Sequence, residues 1–120
     1  MTDEPMTPQN TTPIPDLIAL RDRLREFCKA RDWHRYHTPK NLVMALSVEA
    51  AELVEHFQWS TAEESLNLTP QKRSEVADEI ADVLIYLVEL ADVTGIDPLE
   101  AARAKIVKNS LKYPVTGTTP

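Results

Sequence analysis

The sequence predicts an all-α fold, a four-helix bundle, and three observations carry that prediction. Thr38-Pro39, Thr69-Pro70 and Asp97-Pro98 each set a capping side chain before a proline. That pair opens a helix, because the first residue's oxygen accepts from a free backbone N–H and proline has no N–H to waste there. Glycine is scarce, with 2 in 120 residues. No segment sustains the apolar–polar alternation of a strand.

The elements follow in order. The first 15 residues hold four prolines among Thr, Gln and Asn, and this composition predicts a disordered arm over 1–15. Helices are expected over about 16–31, 39–58, 70–94 and 98–112, within one domain spanning 16–113, followed by a short tail over 114–120. In the first helix Leu17, Leu20, Leu24 and Phe27 form one apolar stripe. Gly95 falls where the third helix would end in the left-handed conformation. Ser60 and Thr61, each followed three residues on by Glu63 or Glu64, cap a short turn between the middle helices.

Composition narrows the chemistry. A net charge of −6 argues against a partner that is a nucleic-acid polymer, yet leaves room for a single nucleotide bridged by cations. No apolar run approaches a membrane span. The polar start MTDEPMTPQN does not read as a secretory signal, and a cytoplasmic protein is expected. The single cysteine, Cys28, excludes an internal disulfide and a cysteine-cage metal site, and reads as a small core residue. So few glycines also exclude a P-loop or Rossmann turn.

The two middle helices carry the distinctive pattern. On the second, Leu42, Leu46, Leu53 and Phe57 centre an apolar face, while Glu49, Glu52 and His56 fall beside it with Val48 and Trp59 on their other flank. On the third, Val76, Ile80, Val83, Leu87 and Leu90 centre the apolar face. Glu79 and Asp82 lie at its edge with Glu75 and Tyr86, and Asp78 and Glu89 point further outward. Both acid pairs are spaced i, i+3, so each pair points one way. Antiparallel packing of the helices brings the pairs to one seam. Four carboxylates there would repel one another, and a divalent cation removes the conflict. Ligation by acids alone favours Mg²⁺, with Mn²⁺ as substitute, over zinc. The competing reading is a solvated helix face or a non-catalytic interaction module.

Glu49-x-x-Glu52 followed by Glu79-x-x-Asp82 resembles the MazG-like all-α nucleotide pyrophosphohydrolases, and the dCTP pyrophosphatase branch in particular. The resemblance is also carried by RDW at 31–33, His37, Pro39, Asn41-Leu42, Leu53, FQW at 57–59, DVLIYL at 82–87, Lys105, Asn109 and Tyr113-Pro114. It spans Leu17 to Pro114. It implies hydrolysis of a nucleoside triphosphate between the α and β phosphates, with dCTP or a modified dCTP as substrate and nucleotide-pool cleaning as the role. A broader or dUTP-preferring pyrophosphohydrolase is the alternative. It also implies that the four acids are catalytic and hold magnesium, one of them orienting or deprotonating the attacking water, in a dimer or tetramer with sites near subunit contacts; the residues themselves leave open which carboxylate is the base, with Glu52 one candidate.

The other parts of a nucleotide site are sought among basic and aromatic residues. Lys105, Asn109 and Lys112 share one face of the last helix, beside Lys108 and Tyr113, and are candidates for holding phosphates. The alternative is a basic last turn that complements the helix dipole. Trp33, Trp59 and Tyr86 are candidate walls for base and sugar, and His37 a candidate substrate contact. Self-association is expected as well. Ile85 and Val88 face the far side of the third helix, and Met44 and Ala51 leave the outer face of the second short of charge.

Overall fold

The computed structural model describes residues 10–115 and is all-helical, with no strand among them. The helices are α1 (Leu17–Ala30), α2 (Pro39–Glu55), α3 (Ala62–Leu66), α4 (Pro70–Thr94) and α5 (Pro98–Lys112), with a 3-10 turn at His34–Tyr36. Of the arm and tail expected at the ends, residues 1–9 and 116–120 lie outside the described residues. Residues 10–15 carry no helix or strand, and the Arg23 guanidinium donates to the Thr12 carbonyl at 2.5 Å.

Local chemistry sets the helix starts as the sequence predicts. Thr38, Thr69 and Asp97 accept from the backbone N–H of Asn41, Lys72, and both Leu99 and Glu100. Asp16 caps α1 by accepting from Ala19 N–H at 2.8 Å. Thr61 and Glu64 form a reciprocal capping box at 3.1 and 2.9 Å, and this opens α3. α2 stops short of the expected 58 because its last turn tightens. His56 and Phe57 donate to Leu53 and Val54 carbonyls three residues back, and the chain leaves the helix there.

Two helix ends share one geometry. Gly95 (φ 71°) closes α4, donating to Asp92 while Ile96 donates back to Ala91. Asp32 (φ 54°) does the same for α1, with Asp32 donating to Lys29 and Trp33 to Cys28. Both are Schellman closures. Asp tolerates the left-handed region better than most side chains, though less well than glycine. α1 thus ends where the sequence predicts, near 31, although no glycine marks the stop.

α4 is the central element. α2 packs along it as the main interface and α1 packs on it more narrowly. Cross-helix pairs fix the directions. His56 meets Glu75 at 4.0 Å, whereas His37, just before α2, meets Glu89 at 3.8 Å, so α2 and α4 run antiparallel. Arg25 pairs with Asp92 and Cys28 with Glu89, so α1 also runs antiparallel to α4. The buried apolar side chains are Cys28, Leu42, Val76 and Val88, with Leu42 the most enclosed.

The packing departs from the wheel reading in three ways. Val88, expected on the far side, is buried because α1 covers that side, and Ile85 is half-buried. Ile80 and Leu87, expected at the core centre, are exposed together with Leu84, so the apolar stripe of α4 is left uncovered within one chain. α5 buries no residue and has no substantial interface with another helix, so a single chain does not close a four-helix bundle. The radius of gyration, 18.7 Å, exceeds the roughly 13 Å of a compact domain of this size for the same reason. Among the described residues no helix is long and apolar enough to cross a membrane.

Candidate metal and nucleotide site

The α2–α4 seam gathers the acids. Glu49 from α2 and Glu79 and Asp82 from α4 each offer a carboxylate oxygen, and the three oxygens lie within 4.8 Å of one another. The i, i+3 spacing of Glu79 and Asp82 gives both one direction, and the antiparallel register sets Glu49 opposite them. Glu49 Oε2 and Glu79 Oε2 are buried and have no hydrogen-bond partner. Burial, then the neighbouring Glu79, Glu52 and Asp82 carboxylates, push the Glu49 carboxyl up to about 7. Two orphaned acceptor atoms in an oxygen-only cluster fit a hard divalent cation such as Mg²⁺, which satisfies both the lone pairs and the charge. Glu52 stands outside the close trio but near enough for its charge to act on Glu49.

The other expected site residues divide. Tyr86 lies beside the acids. Burial, then Glu49, Glu89 and Asp82, hold its hydroxyl above the ordinary tyrosine range. Trp33 packs edge-on against Phe27 at 5.6 Å and stands 6.4 Å from His37. Trp59, in the turn after α2, is 88% exposed. Lys105, Asn109, Lys112 and Tyr113 are exposed on or just beyond α5. One chain therefore does not bring them to the acids, because α5 makes no substantial interface with α2 or α4.

His37 belongs to a different grouping. Its Nδ1 stands 3.8 Å from Cys28 Sγ and 3.8 Å from Glu89 Oε2, with Cys28 Sγ donating to Glu89 Oε1 at 3.5 Å. Burial and the Glu89 carboxylate push the Cys28 thiol up to about 11. Glu89 was expected to point outward; its side chain is only 11% exposed, because α1 covers that flank of α4. Periodicity within single helices gave no signal for this cluster, since its three residues come from three separate segments.

The architecture has known counterparts. The MazG-like family model matches residues 44–119. The chain belongs to the MazG-like family. It is 39% identical to mouse dCTP pyrophosphatase 1 over 110 residues, 90% of this chain and 65% of that protein. It is 40% identical to the human protein of the same name over 105 residues, 86% of this chain and 62% of that one. This MazG-like chain thus spans 61–65% of the length of the curated relatives it matches. It also resembles the crystal structure of a pyrophosphatase from Archaeoglobus fulgidus, with a TM-score of 0.79 and 45% identity, covering 89% of this chain and all of that one.

Proposed function

We propose that this protein hydrolyses a nucleoside triphosphate, dCTP or a modified dCTP, to the monophosphate and pyrophosphate, in a Mg²⁺-dependent reaction that cleans the cytoplasmic nucleotide pool. The observation that carries this reading is the Glu49–Glu79–Asp82 cluster with its two buried, partnerless oxygens. It occurs in a chain whose relatives carry the name dCTP pyrophosphatase.

Glu49, Glu79 and Asp82, with Glu52 one turn along α2, are the residues that would hold Mg²⁺, or Mn²⁺ in its place. The ion supplies neutralisation of phosphate charge and a lowered pKa for bound water. Glu52, outside the close trio, is the candidate general base, accepting the proton of the attacking water. Water oxygen bonds to the α phosphorus, the bond from that phosphorus to the α–β bridging oxygen breaks, and pyrophosphate leaves with the electron pair. Trp33 and Trp59 offer faces for the base, and Tyr86 a hydroxyl for the sugar.

The working unit we infer is a dimer or tetramer. The exposed stripe Ile80, Leu84 and Leu87 on α4, and the exposed Ile106, Val107 and Leu111 on α5, support it. In such an assembly α5 of one copy would carry Lys105, Asn109, Lys112 and Tyr113 to the acids of another.

A panel of nucleoside triphosphates assayed for pyrophosphate release with and without Mg²⁺ tests this reading. Fast turnover of dCTP or a 5-substituted dCTP is expected, lost in excess chelator. Equal turnover of dUTP would displace the cytosine preference, and no turnover of any triphosphate would overturn the reading. In ¹⁸O water the label should appear in the monophosphate. Label only in pyrophosphate would mean attack at the β phosphorus.

A further inference from the structure

The second cluster of α4 has the makings of a metal site of another kind. Cys28, His37 and Glu89 bring sulfur, imidazole nitrogen and carboxylate oxygen together, one ligand atom from each lying within 4.8 Å of the others. The separations are 3.5 Å from Cys28 Sγ to Glu89 Oε1, 3.8 Å from Cys28 Sγ to His37 Nδ1, and 3.8 Å from His37 Nδ1 to Glu89 Oε2. Ligands around a tetrahedral zinc ion, at ordinary Zn–S, Zn–N and Zn–O lengths, stand about 3.4–3.6 Å apart. Each of the three separations, taken to one or the other Glu89 oxygen, therefore lies within a few tenths of an ångström of that spacing.

Two further features point to an occupant. Glu89 Oε2 is buried and has no hydrogen-bond partner. A cavity of about 30 Å³ opens at the cluster, lined by Cys28, His34, His37, Glu89 and Asp92 among others, and it has room for one water. Two neighbouring arginines are already paired with carboxylates. Arg25 makes two hydrogen bonds to Asp92, and Arg21 pairs with Asp22.

We propose that Cys28, His37 and Glu89 form a Zn²⁺ site, separate from the acidic seam, which ties α1, the loop before α2, and α4 together. Thiolate and imidazole select a soft or borderline cation over Mg²⁺. Zn²⁺ bonds to Cys28 Sγ, the thiol proton leaves to solvent, and a water completes four ligands. One thiolate and one carboxylate balance the dication. The site fixes the far end of the loop that begins at Trp33, so it holds that aromatic ring relative to α4.

The test is metal binding to the full chain, read without any nucleotide. Co²⁺ replaces zinc and reports sulfur ligation by a thiolate-to-cobalt charge-transfer band in the near ultraviolet. One equivalent per chain is expected to produce the band, and Zn²⁺ should displace it. Cys28→Ser should abolish the band. Glu89→Gln should weaken Zn²⁺ binding at least about 10–100-fold, measured by competition with a chromophoric chelator. Glu79→Gln, which alters only the acidic seam, should keep both band and affinity. No thiolate band in the unsubstituted protein at saturating Co²⁺ would overturn the proposal. So would Zn²⁺ affinity unchanged in Glu89→Gln, or loss of the band in Glu79→Gln. Pyrophosphate release plays no part in these readouts, so failure here leaves the catalytic reading standing, and the converse holds.

Discussion

α4 presents a cluster of candidate ligands on each of two flanks, and the two differ in donor atoms and in charge. On the α2 flank Glu79 and Asp82 meet Glu49 and all donors are oxygen. On the α1 flank Glu89 meets sulfur and imidazole. Both flanks leave buried carboxylate oxygens without partners. Burying such atoms costs free energy unless a proton or a cation satisfies them. Glu49 answers by taking up a proton near pH 7, whereas Glu89 accepts from a thiol that keeps its own proton. The donor set, more than the acidity, therefore distinguishes a site for a hard cation from one for a soft cation.

The largest expected effect comes from breaking the acid flank. Glu49→Gln or Asp82→Asn should lower Mg²⁺-dependent pyrophosphate release by about 10³-fold or more, with far-ultraviolet circular dichroism unchanged. Full activity in both variants would remove the metal from this seam. Assembly should respond next. Leu87→Lys, on the uncovered stripe, should reduce the particle to a monomer in sedimentation velocity, because a charge replaces an apolar contact between copies. Ile85, half-buried, is the poorer place for that charge.

Within the chain, Leu42→Ala should cost about 2–5 kcal/mol in denaturant unfolding, since it opens a cavity at the most enclosed core position. The pH dependence sharpens the comparison further. Glu49 binds its proton more tightly folded, at about 7, than at its ordinary 4.5. Its favourable contribution is complete below about 4.5 and is lost as pH rises through about 7. Metal-free protein should lose thermal stability across that window, and Glu49→Gln should flatten the slope; a slope equal in both proteins would contradict the assignment. Asp32→Gly should have the smallest effect, a gain below about 1 kcal/mol from relieving the left-handed φ, seen as a slight rise in Tm.

Much of this molecule was legible from neighbours in sequence. Thr38, Thr61, Thr69 and Asp97 determined where helices begin, because a cap needs only residues two or three positions away. Gly95 determined one helix end, and the i, i+3 spacing aligned Glu79 with Asp82, since helix geometry alone sets that pair. Tertiary structure decided the rest. Periodicity locates an apolar stripe but not what covers it, so Ile80 and Leu87 are exposed while Val88 is buried beneath α1. It likewise placed Lys105, Asn109 and Lys112 on one face without bringing α5 to the acids. Cys28, His37 and Glu89 share no helical register. They meet because α1 and the loop before α2 pack on the same flank of α4, and such long-range packing is what local sequence patterns do not encode.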